Sequence, residues 1–279
     1  MTIALFNRVS NQCSKAVTIN YSTSFSSAIK MLHADLHVPI YNIYGFVRFA
    51  DEIVDTFHEH DKRKLLQQFK EQAYEAIEQK ISLNPILNSF QQTVNRYNID
   101  GELIAAFFRS MESDLTENKY DRQGYEDYIY GSAEVVGLMC LYVFCDGNAV
   151  EYKRREQSAR ALGSAFQKVN FLRDIKSDFN DLSRTYFPGC NFNNFTHADK
   201  QQIEADIEAD FASAYEGILQ LPLKARFGVY VAYKYYYTLF KKIKMTKATQ
   251  IMQKRIRIAN HYKAYIILRA GVKNQFRLI

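Results

Sequence analysis

The sequence FQKVNFLRDIKSDFNDLSRTYFP, residues 166–188, places an oxygen-bearing side chain at every fourth position, at Asn170, Asp174 and Asp178. On a helix, residues four apart lie one above the other, so these three side chains form one line down one face. Apolar residues fill the rest of the segment: Val169, Phe171, Leu172 and Ile175. Carboxylates on a largely buried helix need a compensating partner. The sequence therefore predicts a buried helix with a polar line that faces an oppositely charged group.

A second segment, residues 44–55, repeats this pattern in the sequence YGFVRFADEIVD. Arg48, Asp51 and Asp55 fall at i, i+3 and i+7, on one stripe of a helix. Pro39 suits the first turn of a helix, which predicts a start near Val38. A single pair of aspartates four residues apart is weak evidence for a site. Two such acidic faces in one chain indicate that both serve the same ligand.

Small residues follow an aromatic run in YEDYIYGSAEVVG, residues 125–137. Glycines such as Gly131 and Gly137 cost a helix about 1 kcal/mol each relative to alanine. Close approach of another helix backbone accounts for them best, and close approach of a bulky ligand is the alternative. The segment NYSTSFSSAI, residues 20–29, also has two interpretations: its hydroxyls cap a helix, or they contact an anion.

Composition favours an all-α fold. The chain has 279 residues, with only 11 glycines and 4 prolines for tight turns, and no Pro/Gly/Ser-rich linker divides it. We therefore expect residues 1–279 to form a single helical domain, with enough length for a sizeable core.

The net charge of +6 does not by itself indicate a nucleic-acid-binding protein. In the most basic portion, Lys241 to Arg257, cations alternate with apolar residues as on a solvated helix face, and no nucleic-acid-binding motif accompanies them. A polyanionic ligand or an acidic membrane surface is the alternative there. No nucleic-acid partner is expected.

The location follows from the cysteines and from hydropathy. The 4 cysteines lack metal-ligand spacing and fit reduced thiols. No stretch reaches the roughly 18 to 20 apolar residues of a spanning helix. The expected location is cytoplasmic, with peripheral membrane contact as an option.

Two helices that present aspartates to one cavity suit a magnesium site. Mg²⁺ binds one or two protein carboxylates and completes its shell with water and phosphate oxygens. Ions held in this way bridge to a diphosphate and assist its departure. Arg48 and Arg173, beside the aspartates, are placed to donate charge-assisted hydrogen bonds to that diphosphate. Aromatic faces would stabilise the carbocation that remains.

At this point the residues resemble the squalene/phytoene synthases, the head-to-head branch of the trans-isoprenyl diphosphate synthases. The matching blocks keep the family's order over nearly the whole chain. They are YSTSFSSA (21–28), YGFVRFADEIVD (44–55), YIYGSAEVVG (128–137), QKVNFLRDIKSD (167–178), SRTYFP (183–188) and KRIRIANHYK (254–263). The amino-acid sequences of the second and last blocks are most similar to those of bacterial phytoene synthases.

The resemblance implies an isoprenoid synthase fold, with helices around a central apolar cavity. It also implies a two-step reaction: two prenyl diphosphates form a cyclopropylcarbinyl diphosphate, which ionises and rearranges. Residue by residue, it implies a metal-binding set. That set is Asp51, Asp55, Asn170, Asp174 and Asp178. Its acids and two tyrosines, Tyr44 and Tyr128, would be catalytic.

The remaining residues implied by the resemblance bind substrate. Those that would hold diphosphate or line its pocket are Ser24, Phe25, Arg48, Gln167, Arg173, Tyr236, Arg255 and Arg257. Lys263 belongs to the same cationic block. Many family members have consecutive aspartates where this chain has Asp51 and Glu52. Because Glu52 is offset by about 100° from Asp51 on a helix, it is not expected on the metal face.

The sequence does not determine the length of the prenyl chain in the substrate. The first expectation is condensation of two geranylgeranyl diphosphates to phytoene in carotenoid biosynthesis, with Mg²⁺, or Mn²⁺ as the alternative metal, and without NADPH. A farnesyl-using relative that makes dehydrosqualene, hydroxysqualene or squalene is the alternative. A third hypothesis is a non-catalytic assembly protein, but such a protein should have lost metal ligands that this chain retains. The oligomeric state is not indicated.

Overall fold

The expected all-α fold is confirmed by a computed structural model, which describes residues 2–117, 119–180, 185–190 and 195–275, without the side chains of 177–180 and 260. No strand occurs in these ranges, apart from one isolated bridge between Lys119 and Thr185. The helices are α1 (Ile3–Tyr21), α2 (Thr23–Ile29), α3 (Ala34–Asp55), α4 (Lys62–Gln79), α5 (Pro85–Tyr97), α6 (Gly101–Ser113), α7 (Arg122–Ile129), α8 (Val135–Phe144), α9 (Ala149–Asn180), α10 (His197–Gln220), α11 (Leu223–Lys244), α12 (Ala248–Ile251) and α13 (Asn260–Gln275). A π-helical segment, Tyr130–Glu134, joins α7 to α8.

Side-chain caps explain several helix starts. Asn84 accepts hydrogen bonds from the backbone N–H of Ile86 at 3.0 Å and of Leu87 at 3.4 Å, and Pro85 occupies the first helical position of α5. Ser22 caps α2 by accepting from the N–H of Phe25 at 3.1 Å. The capping interpretation of residues 20–29 is therefore confirmed.

The start of α3 was predicted wrongly. The helix begins at Ala34, with His33 as its cap, and Pro39 lies inside it rather than in its first turn. The Nδ1 atom of His33 accepts from the N–H of Asp35, and this cap is a weaker sequence signal than proline. The cost of proline falls mainly on the hydrogen bond to the preceding turn.

Two glycines bring helices to backbone contact, which confirms the helix-crossing interpretation of the small-residue run. A Cβ atom on Gly131 would lie 2.6 Å from the carbonyl oxygen of Ala106 in α6. A Cβ atom on Gly163 of α9 would lie 2.7 Å from the carbonyl oxygen of Ala133 in the π-helical segment. Any larger side chain at either crossing would push the helices apart.

α9 is also tied to α10 by a buried cation. The Nζ atom of Lys168 lies 2.6 Å from Asp206 and 2.7 Å from Asp210, and the hydroxyl of Ser164 donates to Asp210 at 2.8 Å. These contacts satisfy the charge of a lysine that is only 7% exposed. α9 is thus held on both sides, by the π-helical segment and by α10.

Replacing Gly131 by alanine should lower the free energy of unfolding by about 1–3 kcal/mol, because the new methyl group meets a backbone carbonyl that cannot move without shifting α6. Chemical denaturation measures the effect. Gly101→Ala is the control, since a Cβ atom there would have nothing within 4 Å. Equal stability of the two variants would contradict the close crossing.

Candidate active site

Helices α2, α3, α8, α9, α10 and α11 enclose a cavity of about 480 Å³. Its lining is mainly apolar, and its polar residues come from several elements, among them the C-terminal parts of α3 and α9. Arg155 and Arg173 both line it and are 18 residues apart on α9, so the cavity runs for about 27 Å along that helix. This shape suits a long apolar ligand with a charged head.

The structure brings many of the residues predicted for the site to this cavity. The predicted residues that line it are Phe25, Tyr44, Arg48, Asp51, Gln167, Asn170, Arg173, Tyr236 and Arg255. They come from four helices and from the segment before α13. Two sequence-distant faces, on α3 and α9, therefore border one space, as their spacing predicts.

On α3, Arg48 is held in place by its neighbours. Its Nη2 atom donates to Glu52 at 2.6 Å, its Nη1 atom lies 3.7 Å from Asp51, and its guanidinium lies 4.6 Å from the ring centroid of Tyr21. Glu52 thus anchors Arg48 within α3. The buried Nε atom of Arg48 has no hydrogen-bond partner in the described part of the chain. One strong donor remains available to an anion.

Asp51 carries an unfavourable negative charge. Burial, followed by the nearby carboxylate of Asp55, raises its pKa to about 7, against the lowering effect of Arg48. Asp114 raises it further. A bound cation would relieve this repulsion.

On α9, Asn170 and Arg173 face Tyr236 of α11. Burial raises the pKa of the Tyr236 hydroxyl, whereas the charge of Arg173 and a hydrogen bond with Asn170 lower it. The buried Oδ1 atom of Asn170 has no partner among the described residues. An oxygen acceptor and the Nε donor of Arg48 are thus both left for a ligand in the same cavity.

Asp174 lies between two arginines. The Nε atom of Arg255 lies 2.7 Å from its Oδ1 atom, and the Nη2 atom of Arg173 lies 2.5 Å from its Oδ2 atom. Both arginines line the cavity. The contact joins the segment before α13 to the C-terminal half of α9.

Aromatic rings border the same space. Tyr44 lies 5.3 Å from Phe25 between ring centroids, and Tyr236 stacks on Phe166 at 3.9 Å. Burial raises the pKa of the Tyr44 hydroxyl to about 12, so it remains neutral at ordinary pH. These faces are suited to a developing cation.

Other predicted residues lie beside the cavity rather than in its lining. Ser24 is half-buried on α2, Asp55 ends α3 with an exposed side chain, and Asp174 lies behind its two arginines. Arg257 is exposed, and its carbonyl accepts from Lys242 at 2.7 Å. The side chain of Asp178 lies outside the described residues.

Tyr128 is buried away from the lining. Its hydroxyl donates to both carboxylate oxygens of Asp114 at 2.9 Å, and its ring packs against Tyr120, Phe171 and Tyr186. Asp114 in turn acts on Asp51 by its charge. Tyr128 is therefore connected to the site only indirectly, by its hydrogen bonds to Asp114.

Sequence reasoning missed three residues. Asp114 follows α6, and no acid within that helix lies three or four residues from it, so no helical face marks it. Tyr21 and Ser22 line the cavity beside Arg48 and Tyr44; they belong to the segment for which anion contact was the alternative to capping, but neither was singled out as a site residue. The buried carboxylate of Asp114 is visible only in the fold.

Among the described side chains, no three from His, Cys, Asp and Glu form a group able to hold a metal ion. The residues present nevertheless suit a divalent cation that arrives with a diphosphate. Asp51 and Asp55 repel each other, and the orphaned oxygen of Asn170 is a hard ligand.

The comparisons agree on the family. The sequence profile of the squalene/phytoene synthases matches residues 19–261, and the chain belongs to this family. A 4,4'-diapophytoene synthase from Staphylococcus haemolyticus is 26% identical over 199 residues, 68% of this chain and 66% of that protein. A 15-cis-phytoene synthase from Pantoea ananas is 25% identical over 250 residues, 80% of this chain and 78% of that protein.

A solved dehydrosqualene synthase superposes with a TM-score of 0.82 over 96% of this chain and 98% of that chain, at 17% identity. At that identity the similarity shows the fold alone. No helix in the described ranges is long and apolar enough to cross a membrane.

The raised pKa of Asp51 predicts a pH-dependent change in stability. In EDTA at pH 8, Asp51→Asn should raise the melting temperature by a few degrees, because it removes a buried charge that repels Asp55. Since the folded pKa lies above the ordinary value of 3.8, Asp51 lowers the stability of the fold progressively as the pH rises from about 4 to about 7, and the loss is complete above that range. The gain should therefore shrink at pH 5, as thermal denaturation at both pH values would show. A gain that is larger at pH 5 would contradict the assignment.

Proposed function

We propose that this protein joins two prenyl diphosphates head to head, with geranylgeranyl diphosphate as the substrate and phytoene as the product. The observation that carries the proposal is the cavity itself. It combines a long apolar lining with a polar end at which Arg48, Asn170, Arg173 and Arg255 meet Asp51. The family to which the chain belongs carries out head-to-head prenyl condensation.

The twenty-carbon substrate is favoured by the length of the cavity. It extends for about 27 Å along α9, from Arg173 to Arg155. Glycine and alanine at the helix crossings, including Ala133, Gly137 and Gly163, keep that wall free of large side chains. The phytoene synthase among the relatives points the same way.

A farnesyl-using activity is the second candidate. It is favoured by the relative named 4,4'-diapophytoene synthase. Large side chains, Leu32, Leu141 and Phe144, also contribute to the lining and would shorten the space if they close its far end. The two candidates share the site and differ only in the length of the tail.

The charged residues would bind and orient the diphosphate. The free Nε donor of Arg48 and the guanidinium groups of Arg173 and Arg255 are placed to hydrogen bond to its oxygens. Asp51, Asp55, Asn170 and Asp174 would hold Mg²⁺, with Asp178 as a further ligand by its sequence position. When bound, the metal neutralises the diphosphate and makes it a better leaving group.

The apolar part of the cavity would protect the carbocation after diphosphate leaves. The rings of Phe25, Tyr44, Phe166 and Tyr236 line the cavity and would exclude water from it. Neutral tyrosines stabilise a cation by their ring electrons without acting as strong nucleophiles. Because burial raises the pKa of Tyr44, its hydroxyl keeps its proton there.

The direct test is product identification after incubation with Mg²⁺ and either geranylgeranyl or farnesyl diphosphate, each with and without NADPH. The proposal expects phytoene from the twenty-carbon substrate and no dependence on NADPH. Exclusive turnover of farnesyl diphosphate would establish the second candidate. No product from either substrate would contradict both.

Removing a metal-binding carboxylate should abolish turnover while the fold survives. Asp51→Ala and Asp174→Ala should each lower kcat by at least about 100-fold, because several kcal/mol of charge stabilisation is lost. Asp35→Asn is the matched control, since Asp35 also lies on α3 but is exposed and pairs with Lys224 at 3.0 Å. Undiminished turnover in Asp51→Ala would refute the site assignment.

A further inference from the structure

Charge is strongly segregated along this chain. Residues 217–279 contain 14 lysines and arginines and no aspartate or glutamate, although the whole chain has a net charge of only +6. Residues 1–216 therefore carry a net charge of −8. The basic part consists mainly of α11, α12 and α13, and the proposed reaction uses only a few of its cations.

These cations converge on a groove that is separate from the active-site cavity. The groove lies between α11 and α13, has a volume of about 660 Å³, and shares no lining residue with the cavity. α11 serves both spaces from opposite faces. Val229, Ala232 and Tyr236 face the cavity, whereas Lys234 and Lys241 face the groove.

The groove concentrates positive charge without compensation. Its lining contains five cations, Lys234, Lys241, Lys242, Arg269 and Lys273, and no aspartate or glutamate among the described residues that border it. Burial lowers the pKa of Lys234, and the charges of Lys273, Lys241 and Arg269 lower it further. The cations repel one another, and a bound anion would relieve that repulsion.

Aromatic and apolar side chains border the same cations. The Nζ atom of Lys241 lies 4.8 Å from the ring centroid of Tyr237, and that of Lys234 lies within 6.0 Å of three tyrosine rings. On α13, Tyr262 is 44% exposed, Tyr265 is 49% exposed and Leu268 is 69% exposed. Tyr262 and Tyr265 line the groove, and Leu268, three residues after Tyr265, lies on the exposed surface of α13 beside it.

We infer that the groove between α11 and α13 docks this protein on an anionic phospholipid bilayer, with lipid phosphates among its lysines and arginines. A small soluble anion would fill the basic groove but would leave the apolar rim in water. A bilayer surface satisfies both features, because Tyr and Leu enter the interface while the cations meet the headgroups. The positive charge of the groove and the exposed apolar side chains beside it therefore both favour an anionic bilayer as the partner.

The position of the groove connects the bilayer to the catalytic cavity. Lys242, in the groove, donates to the carbonyl of Arg257, and nearby Arg255 contacts Asp174. Lys263 of α13 donates to the hydroxyl of Thr23 at 2.9 Å, next to Ser22 in the cavity lining. The docking face therefore adjoins the polar end of the cavity, where an amphiphilic substrate would enter from the bilayer.

Flotation with phosphatidylglycerol–phosphatidylcholine vesicles tests the inference with the full chain. The wild-type protein should float with the anionic vesicles, should not float with phosphatidylcholine alone, and should bind less as salt is raised. The double variant Lys241→Glu with Arg269→Glu should bind the anionic vesicles at least about tenfold more weakly. Its circular dichroism and its turnover of detergent-dispersed substrate should stay at the wild-type level.

The matched control is Lys15→Glu with Lys247→Glu, which changes the net charge equally at exposed positions outside the groove. The control should keep its vesicle binding within about twofold, since the headgroup attraction acts over only a Debye length. Equal losses in both double variants would show diffuse charge attraction and overturn the groove assignment. Binding of inorganic diphosphate in the groove without vesicle binding would overturn the bilayer as its partner. Because flotation needs no turnover, these results are independent of the proposed reaction.

Discussion

The contact between α9 and the π-helical segment is the constraint on which the site depends. Gly163 and Ala133 bring the two backbones together with no side chain between them. Gln167, one turn further along α9, donates to Ser132 at 3.3 Å and fixes the alignment of the two elements. No large side chain separates the two backbones where they border the cavity. The next turns of α9 place Asn170 and Arg173 at the polar end of the cavity.

At that polar end, like and unlike charges are balanced only in part. Burial and the acidic neighbours of Asp51 disfavour its ionised form, while Arg48 and Asn170 each keep a buried polar atom without a partner in the described residues. A cation alone would leave the arginine donor unsatisfied, and an anion alone would increase the repulsion at Asp51. A metal-bound diphosphate provides both charges, so the arrangement is explained by a composite ligand.

Helical spacing predicted one face at Arg48, Asp51 and Asp55 and another at Asn170, Asp174 and Asp178, because residues at i, i+3 and i+4 share a face in any helix. Arg48, Asp51 and Asn170 line the cavity, whereas Asp55 and Asp174 lie beside it and the side chain of Asp178 lies outside the described residues. The same rule could not reveal Asp114, whose effect on Asp51 depends on how α6 packs. It placed Tyr128 correctly in a helix, but the choice between the cavity and a hydrogen bond with Asp114 is made by tertiary packing. The predicted start of α3 was wrong because it relied on the preference of proline for the first turn, whereas the helix begins at Ala34 and includes Pro39. The all-α fold followed from composition and periodicity, whereas the opposed faces of α11 required the three-dimensional arrangement.

α11 borders two separate spaces: one of its faces lines the cavity and the opposite face lines the basic groove. We propose that the polar end of the cavity binds the metal and the diphosphate. A crystal structure with Mg²⁺ and a non-ionisable thiodiphosphate analogue of geranylgeranyl diphosphate tests it most directly. We expect metal on the carboxylates of Asp51 and Asp174 and diphosphate on Arg48, with the prenyl tail along α9. Diphosphate bound in the α11–α13 groove, with no metal at those aspartates, would contradict it.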